Sequence, residues 1–163
     1  LAAFQSIRDK AGNTLAGAVN AYVMQDEARH VSFGRLALRD YYPQLSDAER
    51  DEREEFVVEA LYFMRDRFNQ SEVWERLGLP AKTLDDIHYN SKQMNSFRGR
   101  LFSRVVPTVK DIGLWGPRMR KAFGEMGVME YADINVVDQL ANDGKVAEEF
   151  DKKMFVEKAI AAE

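Results

Sequence analysis

No cysteine occurs anywhere in the 163 residues. That absence excludes a disulfide framework, a thiolate zinc site, an iron–sulfur cluster and cysteine nucleophile chemistry. Proline is scarce, at Pro43, Pro80, Pro107 and Pro117, and the ten glycines do not fall into the rhythm of strands and tight turns. No apolar run approaches the ~18–20 residues that span a bilayer. The nearest, Leu15 to Met24, is interrupted by Asn20. Basic charge is not in excess either: 23 Lys and Arg stand against 27 Asp and Glu, a net charge of -4. A non-specific nucleic-acid binder would be basic, so neither a nucleic-acid partner nor a membrane span is expected. The first residues lack a basic stretch followed by an apolar core and a small-residue cleavage site, which makes a cytoplasmic location the expectation.

What is present is ordinary globular composition, 45% hydrophobic and 31% charged, in a chain long enough to bury a sizeable core. Apolar residues recur at helical rather than alternating spacing, so the expected fold is all-α. Leu1 to Lys10 reads as the tail of a helix. A long helix follows from about Asn13 to Tyr41, with Leu15, Val19, Tyr22, Val23, Phe33, Leu36 and Leu38 as its apolar positions and Pro43 as its stop. Ser46-Asp47-Ala48-Glu49 is a capping-box signature. It opens a helix to about Asn69 with an expected stripe of Phe56, Val57, Ala60, Phe63, Met64 and Phe68. A short piece ends at Gly78. A helix starting near Thr83 carries Ile87, Met94, Phe97, Leu101, Phe102 and Val105 until Pro107 kinks or breaks it. A helix from about Arg118 to Met126 follows, then one or two more around Asn142-Asp143-Gly144.

Chemistry concentrates at Asp26-Glu27-Ala28-Arg29-His30. At ~100° per residue, Glu27 and His30 lie about 60° apart on one helix face, where a carboxylate oxygen and an imidazole nitrogen can reach one metal ion. Oxygen plus nitrogen ligation suits iron or manganese, and also zinc. The stripe sharing that face holds Asn20, Val23, Met24, Val31 and Gly34, with no competing charge. A Glu and a His embedded there would need a partner, since a buried unpaired carboxylate is costly. The opposing reading is an exposed Glu beside a surface or core His, because Glu-x-x-His also arises by chance.

The run Tyr22-Val23-Met24-Gln25-Asp26-Glu27-Ala28-Arg29-His30-Val31-Ser32-Phe33-Gly34 resembles the last metal-binding helix of the ferritin-like di-iron carboxylate proteins. Asp-Glu-x-Arg-His is its form in the bacterial oxygenase and oxidase branches, relatives of the ribonucleotide reductase small subunit and the amine N-oxygenases. The resemblance covers about Leu1 to Tyr42 and weakens beyond. It implies Glu27 and His30 as metal ligands, Asp26 as the acid that orients a His on a partner helix, and Arg29 as a salt-bridged neighbour. It implies two irons per intact site, with manganese as an alternative, and a small apolar substrate oxidised by dioxygen. It divides the chain into residues 1–44, half of a ferritin-like bundle, and 45–163, a helical extension packed on it. The remaining ligands are expected on the other half of the bundle, from a segment preceding Leu1, another chain or a second copy in a homodimer.

Other candidates are weaker. Asp85 and His88 share the same spacing, but Asp85 is expected to cap its helix. Glu59 interrupts an apolar region, while Glu52, Glu54 and Glu55 read as a solvated face. Tyr22, Trp74, Trp115 and the methionines read as packing residues. Arg98, Arg100, Arg104 and Lys110 read as the basic outer face of a helix rather than a nucleic-acid strip. Three functions follow: a dimetal oxidoreductase, a non-enzymatic helical scaffold or partner subunit with an incomplete metal site, and a ferritin-like iron-handling protein. The long helical stretch after the motif argues against the third.

Overall fold

The computed structural model describes residues 1–67 and 69–160. The described residues form eight α-helices and no strand: α1 (Ala2–Asp9), α2 (Thr14–Tyr41), α3 (Asp47–Asp66), α4 (Ser71–Arg76), α5 (Ala81–Tyr89), α6 (Lys92–Asp111), α7 (Pro117–Glu125) and α8 (Val136–Ile160). Short 3-10 turns occupy Tyr42–Gln44 and Met129–Asp133. The expected all-α architecture is what the chain adopts.

Helix ends follow local chemistry. The Asn13 side chain accepts the N–H of Ala16 at 2.8 Å and opens α2, and Pro43 sits in the turn that ends it. At α3 the capping box is complete: Ser46 Oγ accepts the Glu49 N–H, and Glu49 Oε2 accepts the Ser46 N–H at 2.8 Å. Gly113 and Gly127, at φ 87° and 68°, close α6 and α7 in the left-handed region that favours glycine.

Two boundaries differ from expectation. The single helix expected from Thr83 is two, α5 and α6, because Ser91 is extended and its Oγ takes the N–H of Met94 at 3.2 Å, starting a new helix. Pro107 does not end α6, which continues to Asp111. A proline removes one backbone N–H and so strands the carbonyl four residues earlier. Here that carbonyl, of Ser103, accepts the Gln139 Nε2–H of α8 at 3.2 Å. The region around Asn142-Asp143-Gly144 lies within the single helix α8.

One core fills the space between α3, α6 and α7. Leu61, Phe102, Val106, Leu114, Met119 and Phe123 are fully buried there. Each contributes roughly 1.5–3 kcal/mol of transfer free energy. On α3 the inward residues are Leu61 and Glu54, with Val57 and Met64 packed beside them. Phe56 and Phe63 of the expected stripe face solvent instead, and Phe68 lies outside the described residues. Glu54 is 4% exposed and not part of a solvated face. Its carboxylate accepts the N–H groups of Gly116 and Met119 at the start of α7, where the helix dipole favours negative charge. A Cβ on Gly116 would collide with that carboxylate.

α2 lies along α8 and packs on α1. Its buried face is Gly17, Ala18, Ala21, Met24 and Ala28, so the backbones approach closely. A Cβ on Gly17 would stand 2.6 Å from the Phe150 ring of α8. The large residues expected to form the α2 core, Leu15, Val19, Phe33 and Leu36, point outward, Phe33 with 78% of its surface exposed. Tyr22 is exposed as well, and its hydroxyl donates to Asp151 of α8.

Buried charges join these layers. Arg104 of α6 forms a bidentate pair with Asp143 of α8 at 2.8 and 2.9 Å, and Asp143 is 2% exposed. The same guanidinium reaches Gln5 of α1 at 3.4 Å. Arg35 of α2 pairs with Asp111 at the end of α6. Asp143→Ala should lower the stability in urea by about 3–5 kcal/mol, because it leaves a buried cation alone, whereas the joint change Arg104→Met with Asp143→Leu should cost far less. Glu54→Ala should cost about 1–3 kcal/mol in the same assay, through two unsatisfied amides at the head of α7.

Candidate metal centre

Three residues apart on α2, Glu27 and His30 do share a face, with Glu27 Oε2 3.6 Å from His30 Nδ1. Both heads reach outward: the Glu27 side chain is 43% exposed and the His30 side chain 76%. Asn20, Val23, Val31 and Gly34 around them are half-buried and Met24 is fully buried. The pair therefore sits on the border between the covered and uncovered sides of α2, and desolvation does not force a partner on it. Asp26 and Arg29 form an ion pair with each other at 2.5 Å on the solvent side.

Beside Glu27 opens a cavity of about 290 Å³ walled by Val31, Leu101, Val105, Val109 and Leu140. Arg104 borders it but is committed to Asp143. Tyr22 lies on the outer side, where its hydrogen bond to the Asp151 carboxylate pushes the phenol above the ordinary tyrosine range.

Two donors within reach of each other suit part of one ion's coordination. A carboxylate-bridged dimetal site takes a Glu from each of two helices and a Glu-x-x-His from each of two others. Among the described residues no group of three or more His, Asp or Glu side chains is placed to hold a metal. The described residues thus present one Glu-x-x-His pair.

The weaker candidates resolve otherwise. Asp85 lies inside α5 and caps α4 rather than its own helix: it accepts from Ser71 Oγ, from the Gln70 N–H at 3.0 Å and from Trp74 Nε1 at 3.2 Å. Glu59 is exposed. The basic run along α6 is spent within the fold. Arg98 stacks 3.8 Å over Tyr89, Arg100 meets Asp9 at 2.7 Å, Arg104 meets Asp143, and Lys110 meets Asp133 at 2.9 Å. Reading Arg104 as part of an outer basic face misses its burial, and no local pattern links it to Asp143, 39 residues on.

Ser71's hydrogen bond foremost, then the Gln70 amide, hold the Asp85 carboxyl below the ordinary aspartate range. A carboxyl depressed on folding contributes stability above its unfolded pKa and loses it as pH falls through the folded one. The α4–α5 contact should therefore loosen only in acid below about pH 4, the unfolded aspartate value. Acid titration of Trp74 fluorescence, with Trp115→Phe to isolate the signal, should show that transition, and Asp85→Asn should abolish it.

A family model described as p-aminobenzoate N-oxygenase AurF matches residues 4–113. The match runs from α1 to the end of α6, takes in Glu27 and His30, and continues well past Tyr42. No curated protein and no solved structure matches the chain. Match, all-α architecture and Glu-x-x-His geometry agree, and the chain belongs to the p-aminobenzoate N-oxygenase AurF family of ferritin-like di-iron oxygenases.

Proposed function

We propose that this chain carries one ligand-bearing helix of a dimetal oxidoreductase that oxidises a small apolar organic substrate with dioxygen. The observation that supports it is the Glu27–His30 pair, Oε2 and Nδ1 3.6 Å apart with Glu27 lining an apolar cavity, on a helix matched by an oxygenase family. Glu27 Oε2 and His30 Nδ1 would hold one metal, iron in the first instance and manganese as the alternative. The bound metal pair would supply the activation of dioxygen. This chain's own residues do the rest. Val31, Leu101, Val105 and Leu140 keep water from the cavity and select an apolar guest. Asp143 neutralises the Arg104 guanidinium at its wall.

The other ligands come, on this reading, from helices that cover the outer face of α2. Leu15, Val19, Phe33 and Leu36 are exposed apolar residues there, and the exposed His30 stands one turn before Phe33. Further bundle helices, a partner chain or a second copy would each cover this face. A two-fold dimer would bring a second Glu-x-x-His. A second reading, a helical scaffold subunit, draws on the lack of a three-ligand group among the described residues.

Elemental analysis of natively purified protein discriminates the two. Iron or an iron–manganese pair should copurify, and Glu27→Ala and His30→Ala should each lose most of it while keeping the helical circular dichroism spectrum. Metal content that both substitutions leave unchanged, or no metal at all in the parent protein, would favour the scaffold.

A further inference from the structure

A cavity larger than the one at Glu27 lies elsewhere in the fold. A cleft of about 740 Å³ lies between α1 and the α5–α6 corner, and the metal-site residues do not line it. Its lining mixes two chemistries. The cations are Lys10 at the end of α1, Lys92 in the first turn of α6, and Arg100 two turns further. Among the described residues no carboxylate lines the cleft. Asp9, outside the lining, pairs with Arg100 at 2.7 Å and with Arg8 at 2.9 Å, and leaves Lys10 and Lys92 without it. Ser91 and Ser96 add hydroxyls. The apolar part of the lining is Ile7, Met94 and Phe97.

His88 supplies the second observation. It lines this cleft, and its Nε2 is shut off from solvent without a hydrogen-bond partner. A buried polar nitrogen left unpaired is costly, and a ligand oxygen at this position would satisfy it. An imidazole protonated on Nε2 would donate, as Lys, Arg and Ser do, so the cleft gathers donors and positive charge beside apolar side chains.

We propose that this cleft binds an amphipathic organic carboxylate, its head toward Lys10, Lys92 and His88 and its apolar body along Ile7, Met94 and Phe97. Charge-assisted hydrogen bonds fix the head. The volume admits a body of about ten carbons, within the range of small-molecule sites. The proposal does not rest on the metal-site reading, since the two sites share no residue.

Decanoate is the probe, and the two histidines of the chain make the readout specific. In proton–carbon correlation spectra of the whole chain, decanoate should move the His88 ring signals and leave those of His30 in place. Decanol, of equal length and no charge, should bind at least about tenfold more weakly, as should decanoate to the Lys10→Glu, Lys92→Glu double variant, for the loss of one charge-assisted contact. Both lysines are exposed, so the double variant should keep the parent circular dichroism spectrum. Stationary His88 signals at millimolar decanoate, movement of His30 instead, equal binding of decanol, or undiminished binding by the double variant would each overturn the proposal. None of these outcomes bears on metal content.

Discussion

The bidentate pair between Arg104 and Asp143 is the constraint on which the surroundings of Glu27 and His30 depend. It joins α6 to α8 in the interior and, through Gln5, draws in α1. α8 in turn is the surface along which α2 lies, so the pair sets where Glu27 and His30 stand relative to Leu101 and Val105. Its stabilising worth against two well-packed apolar residues is small. Its geometric effect is larger, because a planar guanidinium facing a carboxylate accepts few directions of approach. It also places a full positive charge at the wall of an apolar cavity without leaving that charge free to bind a guest.

α2 divides its residues in an unusual manner for a surface helix. Glycine and alanine face inward, and the large apolar side chains face out. Small residues permit close backbone approach to α8, and that contact holds through shape rather than through hydrophobic mass. The mass on the outer side remains for something else to cover. The same division explains why Glu27 and His30 stand at a border: one flank of each rests on covered surface, and the polar head is left available.

Local features were legible from the sequence, and long-range ones were not. Asn13, the Ser46–Glu49 box and Pro43 mark helix ends through contacts within a few residues, and each does so in the structure. The Glu27–His30 proximity follows from helical geometry alone. Periodicity shows that α2 and α3 have apolar faces but not which face this chain covers. Phe33 and Phe56 were accordingly expected inside, while Ala21 and Glu54 hold those places. No capping box marks the break before α6, because Ser91 lacks the Glu three residues on that would complete one; Met94 stands there and reads as continuing core. The Glu54 and Arg104 contacts join residues tens of positions apart, and a lone acidic or basic residue in a helical pattern looks solvated until its partner is known.

The stranded carbonyl of Ser103 has a consequence for how α8 is seated. A regular helix offers a neighbour no free backbone acceptor to fix its axial position, because its interior carbonyls are already bonded within the helix. Pro107 breaks that pattern by leaving one unclaimed acceptor on α6, and Gln139 is the residue of α8 that claims it. A slip by one residue is about 1.5 Å. It would strip the acceptor of its donor and, one turn further along α8, misalign the carboxylate that meets Arg104. The proline thus acts as a notch, and α8 is keyed to a single axial setting along α6.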